Sequence, residues 1–176
     1  DGHAVTAVNN DFSGGSNATL RGDLSAYDAI FWSASGDGSG SAHTDSTVFT
    51  NLNAYVMGGG RVFVTGYDSV ASPTDTSLVS FLGATSSVDG PGEPGAVAMV
   101  ANSMTTGLVD IRGLTPSGSA SDLDGLTGLT SGTVEVVGSS DYWGTGASQW
   151  TLRTLGSGEV AYVSNGDSGE ADWSDG

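Results

Sequence analysis

The chain has no cysteine, and its only basic residues are four arginines, Arg21, Arg61, Arg112 and Arg153. The first absence excludes disulfides, thiolate metal sites and cysteine nucleophiles together. The second leaves four positive charges against twenty Asp and Glu, a formal charge of −16. So acidic a surface repels polyanions, so neither a nucleic-acid partner nor an anionic-lipid partner is expected. No stretch approaches the roughly 20 apolar residues that span a bilayer, so membrane insertion is not expected either. There are two histidines, His3 and His43, and none later. Imidazole chemistry in the second half of the chain is thereby excluded.

What is present is glycine, serine, threonine and aspartate in abundance, on a chain of 176 residues. That length suits one domain, residues 1–176, since a domain of this size buries roughly 70% of the surface its unfolded chain exposes. The lysine-free acidic composition fits an extracellular or cell-surface location. Starting at Asp1-Gly2-His3 and stopping at Asp175-Gly176, the chain reads as a piece of something longer.

The organising stretch runs from Asp45 to Gly66. Val48, Leu52, Tyr55 and Val56 fall at helical spacing and predict an amphipathic helix, with a cap at Asp45, Ser46 or Thr47 and a stop at Gly58-Gly59-Gly60. Arg61 to Thr65 then reads as a short buried strand. Further strands are expected at 3–8, 27–32, 96–100, 133–137, 149–155 and 159–164, with a second helix over 75–82. Gly156-Ser157-Gly158 marks a hairpin, and 121–126 forms at most one helical turn. The fold class expected is α/β: a mostly parallel sheet flanked by helices, with an antiparallel, β-rich carboxyl-terminal part.

Four phrases, "AYDAIFW", "FTNLNAYVMGGG", "RVFVTG" and "LGSGEVAYVS", together resemble the class I glutamine amidotransferase-like, flavodoxin-like fold in its non-catalytic secreted variety. The phrase from Tyr55 to Gly66 carries most of the likeness. Catalytic members have a cysteine in a G-x-C-x-G turn, where this chain has Gly66-Tyr67-Asp68-Ser69-Val70. With Asp68 in the nucleophile's place and no late histidine, the resemblance implies that amidotransferase chemistry is absent. It also implies that a first strand-helix unit is missing or supplied elsewhere.

Candidate sites follow from these readings. Open α/β sheets bind ligands at the carboxyl ends of their parallel strands, which gathers Ser33, Asp37, His43, Gly66, Tyr67 and Asp68 into one ligand-binding set. Such residue types suit a neutral polar ligand, such as a glycan. A hydrolase using Asp68 or Ser69 with His43 as base is the enzymatic alternative. Asp37, Asp122 and Asp124, joined by Asp45 and Asp68, offer oxygen ligands for Ca²⁺, although no EF-hand pattern is completed. That reading implies a calcium-dependent structural or adhesive surface domain; otherwise no cofactor is expected. Gly166-Asp167-Ser168-Gly169 mimics a serine-protease segment, but the central helix contradicts a double β-barrel. Arg21-Gly22-Asp23 and Asn17-Ala18-Thr19 are short chance-prone motifs. The leading expectation is a non-catalytic accessory or interaction domain of a larger secreted protein, with that protein's other domains as partners.

Overall fold

The computed structural model describes residues 19–33, 45–66, 69–70, 76–89, 94–115, 123–139 and 146–164, and positions 4 and 6. Within them the strands are β1 (Ala29–Ser33), β2 (Arg61–Gly66), β3 (Ser86–Val88), β4 (Pro94–Val97), β5 (Gly125–Thr127), β6 (Thr133–Ser139), β7 (Ser148–Leu155) and β8 (Gly158–Ser164). The helices are α1 (Ser46–Met57), α2 (Thr76–Phe81) and α3 (Ser103–Thr106). Among the described residues no helix is long and apolar enough to cross a membrane.

Helix α1 forms where its spacing predicts. The Asp45 carboxylate accepts hydrogen bonds from the Thr47 and Val48 amides at 2.9 and 3.4 Å, and it also pairs with Arg21. Those bonds satisfy donors that the first turn leaves open. Val48, Phe49, Leu52 and Val56 are buried, each such side chain contributing about 1.5–3 kcal/mol of gross apolar transfer energy. Gly59, at φ +108°, turns the chain out of the helix and into β2, a backbone state that residues with a Cβ adopt reluctantly.

The strands form one sheet in the order β1-β2-β8-β7-β5-β3, with β6 pairing β7 and β4 pairing β6. Only β1–β2 and β2–β8 run parallel. The pairs β3–β5, β4–β6, β5–β7, β6–β7 and β7–β8 are antiparallel. The expected mostly parallel α/β sheet of flavodoxin-like type is therefore corrected: the sheet is mixed and mostly antiparallel, with few helices. The reason lies in the connections. Gly156-Ser157 joins β7 to β8 in a tight hairpin with Gly156 at φ +63°, and a hairpin can join only antiparallel neighbours. The stretch around Leu123–Thr127, expected as a helical turn, supplies β5; β3 and α3 lie where no element was expected. The strand expected at 3–8 lies outside the described residues, apart from positions 4 and 6.

Alternation along the strands divides two cores. Ile30 and Trp32 of β1, Val62 and Val64 of β2, and Val160 and Tyr162 of β8 pack toward α1 and α2 with Leu52, Val56, Leu78 and Phe81. On the opposite face, Leu152, Val137 and Ala161 pack with Val97, Met104, Ile111 and Trp150 under the β4–α3 segment. Phe31 and Phe63 lie on that second face, because they alternate with the first set.

Candidate functional site

Strands β1, β2 and β8 run in the same direction and finish together. Ser33 pairs in register with Thr65, and Gly66 with Ser164, so their carboxyl ends form one rim. Beyond the end of β8, the segment entering β5 comes alongside: the Asp124 amide donates to Ser164 Oγ at 2.8 Å. Asp124 is 1% exposed, and its Oδ2 accepts from the Val70 amide at 3.0 Å. Ser69 is fully buried, with its Oγ 3.2 Å from the Tyr162 hydroxyl, and Ser87 Oγ donates to the Val70 carbonyl. These bonds tie the chain after β2 to β3, β5 and β8. In so dry a setting each hydrogen bond is stronger than at the surface, and losing one partner is correspondingly costly.

Of the residues expected at this rim, Ser33 is exposed at the end of β1 and Gly66 is buried at the end of β2. Asp37, His43, Tyr67, Asp68 and Asp122 lie outside the described residues. Ser69, offered as a nucleophile, points into the core against Tyr162. Asp124, offered as a calcium ligand, is held in the buried network, while Asp45 caps α1. Among the described residues no three His, Asp or Glu side chains converge as a metal site. Arg21 is engaged by Asp45, and Asp23 accepts from the Ser25 amide, so the Arg-Gly-Asp tripeptide is accounted for by local structure. Trp150 is packed, as its strand position predicts.

The second face carries a feature that periodicity did not reveal. Phe31 is 64% exposed and stacks on Phe63, ring centroids 4.9 Å apart and planes 14° apart. On the same side of the sheet, Met99, Val100, Leu108, Val109 and Leu114 flank α3, and all are more than half exposed. Ser103 at the start of α3 is fastened to this side through its hydroxyl, which donates to Glu159 Oε2 of β8 at 3.0 Å. Single exposed apolar residues are ordinary; a concentration in one segment, on the face that also carries the exposed Phe31, is not. The sequence signal here is the apolar run from Tyr27 to Trp32, which reads as a buried strand. Only the uncovered neighbour strands leave Phe31 in water.

No family model matches the sequence, and no curated protein matches it. Among solved structures, the chain resembles part of a cold-adapted β-galactosidase from Rahnella sp. R3, with TM-score 0.52 and 20% identity over 84% of this chain and 22% of that one. It also resembles a cytoplasmic protein from Salmonella typhimurium LT2, with TM-score 0.50 and 14% identity over 84% of this chain and 64% of that one. The chain thus spans under two thirds of either neighbour, and the likeness is one of fold. With these neighbours and a mixed sheet, the amidotransferase-like assignment is withdrawn. In the β-galactosidase the matching fold is one portion, 22%, of a longer chain.

Proposed function

We propose that this chain is a non-catalytic accessory domain of a larger extracellular or cell-surface protein, and that it docks on other parts of that protein through the second sheet face. The observation that carries this reading is the exposed Phe31–Phe63 stack beside Met99, Val100, Leu108, Val109 and Leu114. Phe31 alone leaves on the order of 100 Å² of ring in water, so covering it contributes about 2–3 kcal/mol before the costs of association. The occurrence of the fold within a longer chain supports the same reading. A neutral glycan held at the rim of Ser33 and Gly66 would be its ligand.

The test is hydrogen exchange on the polypeptide as its source produces it, compared with the 176-residue chain alone. Peptides covering 29–33, 61–65 and 99–114 should be protected in the former and exchange faster in the latter. Equal exchange in both would show the face to be uncovered in the native setting and would sink the proposal.

A further inference from the structure

On the opposite side of the molecule a groove of about 340 Å³ runs between α1 and α2, within the size range of small-ligand sites. Its floor is the buried pair Phe49 and Phe81, ring centroids 5.8 Å apart. Thr50 and Asn53 from α1 and Ser77 and Ser80 from α2 stand along it, with Arg153 of β7 reaching in from the sheet. Among the described residues, no Asp or Glu lines this groove.

Arg153 differs from the other arginines. Arg21 is paired with Asp45 and Arg112 with Asp110, while Arg61 lies exposed to water. Arg153 has no carboxylate partner among the described residues: its Nη1 donates to the Ser80 and Phe81 carbonyls at the end of α2, and its Nε is buried. Burial without a countercharge pushes its pKa below the ordinary arginine value. The Nη2 edge makes no hydrogen bond to a described residue. That edge can donate to an anionic oxygen such as a carboxylate's, and the overall charge of −16 disfavours ligands of higher negative charge.

The walls supply the rest of the specificity. Thr50 Oγ1 and Asn53 Nδ2 donate back to the Ser46 and Phe49 carbonyls at 2.8 and 2.7 Å, which leaves their oxygens as acceptors. The Ser77 and Ser80 hydroxyls make no hydrogen bond to a described residue, so they are open as donors or acceptors. One cation, several neutral hydrogen-bonding groups and an aromatic floor match a ring that bears both hydroxyls and one carboxylate. We propose that this groove binds a uronic-acid sugar unit, its carboxylate on Arg153 and its hydroxyls on Thr50, Asn53, Ser77 and Ser80. The site is separate from the docking face and stands or falls without it.

The experiment is an amide NMR titration of the full chain with glucuronate, against glucose, acetate and free glutamate as comparison probes. Glucuronate should give saturable shifts confined to 46–54, 76–82 and Arg153, with glucose and acetate each at least tenfold weaker. Arg153→Met should weaken glucuronate binding at least tenfold and bring it level with glucose. Because Arg153 also caps α2, Asn53→Ala and Ser77→Ala serve as surface variants that leave the fold intact, and each should weaken binding severalfold. Acetate or glutamate binding as tightly as glucuronate, shifts spread over the surface without saturation, or surface variants that bind like the parent would each overturn the proposal.

Discussion

Replacing Asp124 by alanine tests whether the buried network at the strand ends is structural. Val70 is fully buried, and its amide donates to Asp124 Oδ2 at 3.0 Å; without the carboxylate that donor is stranded. A buried, unsatisfied donor costs about 1–3 kcal/mol, and the volume lost at a position 1% exposed adds to it. The expected loss is about 2–3 kcal/mol, or roughly 5–10 °C in Tm for a chain of this size. Asp124→Asn keeps an oxygen that can accept from Val70 and should lose only about 1 kcal/mol. The assay is urea unfolding followed by tryptophan fluorescence, since Trp32 is buried in the same core, run once in chelator and once in excess Ca²⁺. The midpoint should fall by the same amount in both, with the slope unchanged. A loss below about 0.5 kcal/mol would refute the structural reasoning. A loss seen only in Ca²⁺ would refute it too, and would return Asp124 to the role of cation ligand.

Leu52, fully buried against the sheet, should cost about 2–5 kcal/mol as Leu52→Ala by chemical denaturation. Gly156→Ala places a Cβ 2.6 Å from the Met57 carbonyl oxygen at a φ of +63°, so the β7–β8 hairpin must shift; a loss of about 1–3 kcal/mol in thermal unfolding is expected. Burial pushes the Asp45 carboxyl up, but Arg21 and the Thr47 and Val48 amides outweigh it and hold its pKa below 3.8. A depressed carboxylate stabilises the fold above its unfolded pKa, and that contribution is lost as pH falls through the folded value. Tm measured below pH 4 should therefore fall less steeply for Asp45→Asn than for the parent. Asp110, held at about 2 by the Arg112 hydrogen bonds, should titrate by NMR in the same acid range; with its partner two residues away, the pair can persist in the unfolded chain and add little to that slope.

The α1–β2 unit was legible because everything that specifies it lies within one contiguous stretch: the Asp45 cap, the Val48–Leu52–Val56 spacing and the glycine stop before Arg61. The β7–β8 hairpin was legible for the same reason. The direction of strand pairing was not, because a run such as Ala29–Ser33 has the same local pattern whatever neighbour it takes. Strands β3 and β5 span three residues each, too few to show a period. At the strand ends, composition drew attention to Asp124, but its partners Val70 and Ser164 are 54 and 40 residues away. No local spacing connects them. Likewise, the Ser69–Tyr162 contact spans 93 positions.

The two faces of the sheet differ in how completely they are covered. On the first face, Val64, Leu52, Leu78 and Tyr162 are sealed at zero exposure under α1 and α2, and the rim network closes one end. On the second face, α3 is a helix of four residues and covers only the β6–β8 side, where Val137 and Leu152 are buried. Apolar surface over β1 and β2 is left to Phe31 and Phe63. A chain selected only for its own solubility would carry a polar residue at position 31, since a ring 64% in water returns little folding energy. Retaining an aromatic there, beside a segment rich in exposed methionine, leucine and valine, makes sense when another surface completes the burial. Substitutions on the first face should therefore lower the denaturation midpoint, whereas Phe31→Ser should leave it nearly unchanged.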